Sequence, residues 1–451
     1  MPKFERKLMP GQQKGLEWIG NKSKVFLIMA MRCGKTLLTI RRIRNIQTAR
    51  RVLILCPMTV IDAWAMELAT EKEHCSLIHG STLNKRDSTL DIALQDTERH
   101  YVVANFESLL STPRLGTITW DVVVIDESRR IANPRAIITK RCRHVFSAVP
   151  YKFALSGLPN PENDMEFIEQ FLFLFGEFMG CKSYWEVRAK YCALTPVGWV
   201  LFANAKKKLQ KEVHEKAYIL TREQAGMNDK RVYETRKVEP TKEQVMLYKE
   251  IKKHFSYTLH GQHKETQWAL TCQTWLAKLA GGFDPDDPPG LLSDSKVQEI
   301  YNLLKGDLLG EQLVIWTKYR HEAIYVSEYL SGRNISNELI LGGTELSYRS
   351  GCLQNFRSGK SRVLMATERV AKYGVDASAA CTAIYYSNEW SYDDRAQSEE
   401  RILHPKKHDP LLYIDLVTKD TIDEKLAAAV KVKEFNAKTF LTDWLNNFSS
   451  Q

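Results

Sequence analysis

The 451-residue sequence lacks the marks of several protein classes. Its nine cysteines, at 33, 56, 75, 142, 181, 192, 272, 352 and 381, include no Cys-x-x-Cys pair, which argues against a zinc site. An odd number of scattered thiols without a secretory leader fits a reducing cytosol. The first residues, Met1-Pro-Lys-Phe-Glu-Arg-Lys7, carry charge but no apolar h-region. No apolar run is long enough to span a bilayer, and no low-complexity tract interrupts the chain. These absences lead to the expectation of a soluble, cytoplasmic protein with no membrane partner.

What remains is an ordinary globular composition, 44% hydrophobic and 26% charged, with room for two or three domains. The formal net charge of +10 is a mild tilt towards a polyanionic partner.

The most informative stretch is Val122-Val-Val-Ile-Asp-Glu-Ser-Arg-Arg-Ile-Ala-Asn-Pro134. An apolar run delivers two adjacent carboxylates, Asp126 and Glu127, to the end of a buried strand. Such a pair suits a magnesium–nucleoside triphosphate site, where one carboxylate holds the metal's water shell and the other positions an attacking water. A plain strand-to-turn exit can look the same, so the reading needs a phosphate-binding loop upstream.

Val25-Phe-Leu-Ile-Met-Ala-Met-Arg-Cys-Gly-Lys-Thr36 supplies one. Val25–Met29 reads as a strand, and Gly34-Lys35-Thr36 opens a helix with Leu37, Ile40 and Ile43 at helical spacing. Backbone N–H groups from Cys33 onwards can receive phosphate, Lys35 can reach the β- and γ-phosphates, and the Thr36 hydroxyl can ligate magnesium. The complete P-loop pattern fails at its first glycine, where Met29 stands.

Strand candidates Val25–Met29, Val52–Cys56, Tyr101–Ala104, Val122–Ile125 and Phe153–Leu155 alternate with helical patterns, predicting a parallel sheet covered on both faces. The segment 162–210 reads as aromatic and mostly helical, and its cluster Lys206-Lys-Lys208 with Lys211 reads as a solvated helix face or a DNA-backbone contact. Helical patterns follow around Glu243–Phe255 and Trp268–Ala280, and Asp284-Pro-Asp-Asp-Pro-Pro-Gly290 reads as a linker. Strands resume at Leu313–Trp316, Leu339–Leu341, Val363–Ala366, Ala383–Tyr386 and Leu412–Leu416. Two successive α/β units suggest two facing sheets with a nucleotide between them.

The order of these blocks resembles helicase superfamily two, and within it the Swi/Snf family of double-stranded-DNA translocases; the compact arrangement looks more like bacteriophage, bacterial or annealing-type members than chromatin remodellers, which implies a bacterial or phage-infected cell rather than a nucleus. Leu8-Met-Pro-Gly-Gln-Gln-Lys-Gly-Leu-Glu-Trp18 is similar to the family block whose glutamine reads adenine, a role that falls on Gln12. Leu55–Trp64 is similar to motif Ia and Asn105-Phe-Glu-Ser108 to the next strand-end block, both of which usually face DNA. Asp126–Pro134 resembles the Asp-Glu-Ala-His-Arg-Ile-Lys-Asn-Pro signature, and Leu155-Ser-Gly-Leu-Pro159 resembles motif III. Thr241–Tyr248, Leu313–Thr317 and Thr421-Ile-Asp-Glu424 match later blocks, the last where a helix braces the two lobes in the family.

Three departures fall near phosphate contacts. Arg32 occupies a position where the superfamily commonly has glycine. Ala366–Asp376 is an eroded motif V in which Thr367, Gly374 and Asp376 can be placed. In motif VI, Trp390 and Gln397 are spaced as expected and Arg401 takes the first arginine position, but His404 takes the second. A neutral histidine cannot supply the arginine fork. Three readings stand: Arg401 suffices with Lys406, Arg395 or Arg369 assisting, hydrolysis is natively slow, or the chain is an altered or inactive variant.

The resemblance implies an α/β fold of two tandem RecA-like parallel-sheet lobes, 1–225 and 226–451, with helical insertions and a C-terminal bracing helix. It implies ATP and Mg2+, with Glu127, Asp126, Lys35 and Arg401 catalytic. Gln12, Cys33, Gly34, Lys35, Thr36, Gly374, Asp376 and Arg401 would bind the nucleotide, and Thr36 and Asp126 the metal. The expected activity is DNA-dependent ATP hydrolysis coupled to movement of a monomer on double-stranded DNA, through backbone contacts. Two alternatives stand beside it: a strand-separating DNA or RNA helicase, and an ATP-switched DNA-binding or annealing module with weak hydrolysis.

Overall fold

The computed structural model describes residues 6–429, apart from 81, 158–163, 196–197, 223, 227–229, 260, 287, 372–374, 390–391 and 404–409. The chain divides at Asn228/Asp229 into two compact units.

The first unit carries strands β1 (Lys24–Met29), β2 (Arg51–Cys56), β3 (His74–Ile78), β4 (His100–Asn105), β5 (Val122–Ile125), β6 (Tyr151–Ser156), β7 (Cys192–Thr195), β8 (Gly198–Leu201) and β9 (Ala217–Leu220). Seven of them form a sheet in the order β3-β4-β2-β5-β6-β1-β9, and every pairing in it is parallel. The continuous apolar runs of β1, β2 and β5 follow from burial on both faces. Phe26 and Ile28 point into one core, whereas Val25, Leu27 and Met29 point into the other. The period-two pleat thus shares one hydrophobic strand between two layers of helix.

The second unit carries β10 (Arg231–Val238), β11 (Ser256–Leu259), β12 (Gln262–Glu265), β13 (Leu313–Thr317), β14 (Asn337–Ile340), β15 (Val363–Thr367), β16 (Thr382–Tyr385) and β17 (Leu411–Thr418). Its six-stranded sheet, β10-β17-β16-β13-β15-β14, is also parallel throughout and buried on both faces. The helix Lys242–His254 starts with Thr241, whose Oγ1 accepts from Gln244 N while Gln244 Oε1 accepts from Thr241 N, a reciprocal capping box. That helix, Ala269–Ala280, Ile422 and Leu426 form a satellite core of the same unit, so the described part of the Thr421 block packs here.

The predicted strands occur where the apolar runs placed them, and the sequence reading missed others. β3, β9 and β10 are edge strands of their sheets. β10 (Arg-Val-Tyr-Glu-Thr-Arg-Lys-Val) is mostly polar and only partly buried, but eight residues in register with β17 hold it. The hairpin β7–β8 interrupts the segment read as helical. In the helix Ala203–Lys216, Lys206 and Lys211 are exposed and pair with Asp164 and Glu215, as a solvated face should.

The acidic, proline-rich stretch at Asp284 is not a linker. It folds back within the second unit: Phe283 bridges Leu291, Asp284 N donates to Gly290 O, and Lys278 Nζ donates to the carbonyls of Pro285 and Asp286. Asp286 also accepts from Tyr257 Oη at 2.7 Å and Lys264 Nζ at 2.5 Å. Prolines excluded helix here, and local side-chain bonds supplied the order that the composition did not reveal.

Among the described residues, no helix is long and apolar enough to cross a membrane.

Candidate nucleotide site

Parallel strands release their loops at one edge, and ligands of open α/β sheets collect at that carboxyl edge. β5, β6 and β1 are neighbours, with Ile125 opposite Ala154 and Ser156 opposite Ile28. Register alone therefore places Asp126, Gly157 and the loop 30–34 side by side.

The loop turns through two left-handed residues, Arg32 (φ 63°) and Gly34 (φ 75°), into the helix Lys35–Arg44. Gly34 is needed for space as well as conformation, because a Cβ there would lie 2.0 Å from Gln12 Nε2. Arg32 adopts a backbone region that glycine occupies without strain, which explains why glycine is usual there. Cys33 is fully buried, whereas Lys35 and Thr36 are half-buried at the helix N-terminus.

Gln12 is buried, and both ends of its amide hold the chain: Oε1 accepts from Met9 N at 2.8 Å, and Nε2 donates to Gly34 O at 3.1 Å. Lys35 Nζ donates to Met29 O at 3.0 Å, folding the ammonium back over the loop. A Cβ on Gly157 would come within 3.4 Å of that ammonium and 3.1 Å of Met31 Cγ, so the glycine of the motif III block lets β6 approach the phosphate loop.

Asp126 stands 8% exposed at the end of β5, its N–H bonded to Leu55 O. Its Oδ2 accepts from Trp64 Nε1 at 2.8 Å and its Oδ1 from Glu127 N at 2.9 Å. Burial pushes the carboxyl pKa up, opposed by the Lys35 charge and by these two donors. Glu127 is less buried and left-handed (φ 49°), a strained conformation of the kind that gathers at working sites. The residues that follow anchor the pair: Ser128 Oγ donates to Gln170 Oε1, and Arg129 forks onto Glu166 at 2.6 and 3.0 Å.

Trp64 was missed as a site residue. It belongs to the block expected to face DNA, yet it is 1% exposed and turned onto Asp126. Asn105 and Ser108 of the next block are likewise buried, and Glu107 is its exposed side chain, paired with Arg130.

In the second unit, Arg401 follows the helix Tyr392–Glu399; its N–H bonds Ser398 O and its carbonyl accepts from Ala377 N. That bond sets it near Asp376, which pairs with Arg357 at 3.2 Å. Gly374, Trp390, His404 and Lys406 lie outside the described residues.

Arg395 is not a spare cation. It is 3% exposed and bonds Asp415 Oδ1 (2.5 Å), Asn388 Oδ1 (2.6 Å) and Glu399 Oε1 (2.8 Å), with its guanidinium over the Tyr385 ring. Contrary to expectation it does not assist Arg401, because its fork is consumed inside the core.

Residues 11–280 match the SNF2-related domain, and residues 295–406 match the helicase conserved C-terminal domain. The SWI/SNF chromatin-remodeling complex subunit snf22 of Schizosaccharomyces pombe is 22% identical over 94% of this chain and 27% of its own length. The SWI/SNF-related matrix-associated actin-dependent regulator of chromatin subfamily A-like protein 1 of Drosophila melanogaster is 22% identical over 96% of this chain and 56% of its own. The chain thus spans about a quarter to just over half of these curated relatives. Among solved structures, the Sulfolobus solfataricus SWI2/SNF2 ATPase core in complex with dsDNA aligns over 99% of this chain and 96% of that one, at 19% identity and a TM-score of 0.46. With the SNF2-related match covering more than half its length, this chain belongs to the SNF2-related family.

Proposed function

We propose that this chain is an ATP hydrolase that is stimulated by DNA and translocates on double-stranded DNA as a monomer, with lobes 1–225 and 226–451. The observation that carries the proposal is the meeting, at one sheet edge, of a glycine-turned helix N-terminus bearing Lys35 and Thr36 with the buried carboxylate of Asp126. The named relatives are a subunit of a chromatin-remodeling complex and a regulator of chromatin.

The residues fit a hydrated Mg2+ bound with triphosphate. Asp126 has one donor on each oxygen and so keeps lone pairs for metal-bound water, and Thr36 is half-exposed in the first turn of the helix Lys35–Arg44. When bound, the ion would neutralise phosphate charge.

In this reading the backbone N–H groups of Gly34, Lys35 and Thr36 receive the β-phosphate, the expected Cys33 N–H being held by the Ala30 carbonyl, and Lys35 leaves the Met29 carbonyl for the γ-phosphate. Gln12, which already braces Gly34, presents its amide to adenine. Glu127 orients and deprotonates the attacking water. Arg401, whose carbonyl accepts from Ala377 N next to Asp376, is the cation assigned to the charge developing on the transferred phosphoryl group, with Asp376 and Gly374 assigned to the nucleotide. DNA is held by its phosphates, making binding sequence-tolerant and salt-sensitive.

The deciding experiment compares steady-state ATP hydrolysis on duplex, single-stranded and forked DNA and on RNA, with Glu127→Gln as the blank, beside triplex-displacement and strand-displacement assays. Duplex-stimulated turnover with triplex displacement and no unwinding is expected. Unwinding with RNA stimulation would identify a helicase, and rates equal to the blank would identify an ATP-switched binding module.

A further inference from the structure

A second constellation lies on the opposite edge of the first sheet, at the amino ends of β3 and β4. The two strands pair in parallel with His74 opposite His100, so the first residues of both strands project from the same face. Asp96 follows the helix Leu83–Gln95 and comes down between them. Its Oδ2 lies 2.8 Å from His74 Nδ1 and 2.8 Å from His100 Nδ1. One carboxylate oxygen and two imidazole nitrogens thus converge, all within 4.8 Å of one another.

The outward-facing atoms of His100 and Asp96 are hydrogen-bonded as well, and that of His74 faces a carboxylate. His100 Nε2 lies 2.8 Å from Ser76 Oγ, Asp96 Oδ1 accepts from Glu98 N at 2.9 Å, and His74 Nε2 faces Glu98 Oε2 at 3.9 Å. Metal-binding histidines and carboxylates are oriented in this way, with the far ring nitrogen held by a hydroxyl, a carboxylate or a carbonyl. The nearby Arg99 does not compete for the carboxylate, since it donates to the carbonyls of Ala49, Arg44 and Ile46. His100 is buried, Asp96 is half-buried, and the His74 side chain is 54% exposed beside a shallow cavity of about 290 Å3, which gives an ion a way in.

We propose that His74, Asp96 and His100 bind a divalent transition-metal ion of the zinc class, tying the edge strand β3 to β4 and to the turn after the preceding helix. Two nitrogens and one carboxylate oxygen suit Zn2+, with the remaining tetrahedral position open to water. Magnesium prefers an all-oxygen shell, so this site is chemically distinct from the one at the phosphate loop. The two oxygen–nitrogen distances of 2.8 Å need to open by about 0.5 Å to reach the roughly 3.3 Å spacing of a tetrahedral shell with bonds of about 2.0 Å, and the two nitrogens, within 4.8 Å of each other, settle to the same spacing by rotation of the exposed His74 ring. The absence of paired cysteines does not bear on it, because no thiolate is used.

The full chain, stripped with chelator, is equilibrated with Zn2+ at micromolar concentration and its bound metal quantified by mass spectrometry. Wild type and the control His214→Ala on an exposed helix are expected to bind the same amount, and His74→Ala and Asp96→Asn to bind one equivalent less. Co2+ in place of zinc should give visible absorption bands that vanish in His74→Ala. Ser76→Ala keeps all three ligands and is expected to weaken binding about 10–100-fold through the His100 orientation alone. His74 is exposed enough that its loss leaves the fold intact, checked by circular dichroism. Equal zinc in wild type and His74→Ala, with unchanged cobalt spectra, would overturn the proposal whatever the hydrolysis assays show.

Discussion

Trp64 donates its indole N–H to Asp126 Oδ2 across 2.8 Å, and both side chains are buried. A carboxylate at the end of a buried strand is costly unless donors face it, and here one of two donors comes from a helix 62 residues earlier. Trp64→Phe keeps the ring and removes the donor. The expected cost is about 1–3 kcal/mol of stability for the orphaned acceptor. ATP turnover should fall roughly 10–100-fold, as it does when second partners of metal-site carboxylates are lost. Urea titration and steady-state hydrolysis measure the two effects; full activity in Trp64→Phe would show that the bond is only structural.

Arg32 (φ 63°) tests backbone strain in the phosphate loop. Both Arg32→Gly and Arg32→Val discard the guanidinium, so whatever it contacts cancels between them. The glycine variant should be more stable than the valine variant by about 1–2 kcal/mol, since only the β-branched residue is penalised in the left-handed region. Denaturant midpoints of the pair decide the matter; equal midpoints would mean the loop relaxes.

Arg395 and Arg401 are expected to fail in different assays. Arg395→Met leaves Asp415 buried without its cation, while Glu399 keeps Arg231, and should cost about 3–5 kcal/mol, seen as a lowered unfolding midpoint. Arg401→Ala should lower DNA-stimulated turnover by about 10³–10⁵, with a smaller shift of that midpoint than Arg395→Met gives. A stable, inactive Arg395→Met would contradict the assignment of Arg395 to the core.

Glu322 makes stability in the second unit depend on pH. It is fully buried, accepts from Ser387 Oγ at 2.5 Å and Tyr319 N at 3.0 Å, and burial pushes its pKa up to about 7. The folded pKa exceeds the unfolded one, so its contribution is fully present below the ordinary glutamate pKa and is lost as pH rises through about 7. Over that window the loss is about 3 kcal/mol. Glu322→Gln, which mimics the protonated acid, should flatten the difference between midpoints at pH 5 and pH 8; an unchanged slope would count against it.

The sequence by itself determined the strands buried on both faces, because nothing but a two-sided core explains runs such as Val122–Ile125 and Val25–Met29. It also determined the loop–helix turn at Gly34, where conformation and residue type coincide, and the acidic pair at a strand end. Tertiary structure decided what periodicity does not encode. The edge strands β3 and β10 are held by backbone pairing with a neighbour and need no apolar run. The Asp284 loop is ordered by side-chain bonds from Tyr257, Lys264 and Lys278, which composition cannot anticipate. Register brought Gly157 beside Lys35 and His74 beside His100, and packing turned Trp64 inward onto Asp126 and closed Arg395 into the core. Local chemistry is written residue by residue, but which of two similar arginines is buried, or which tryptophan meets a carboxylate, depends on strand order and on contacts between residues far apart in the chain.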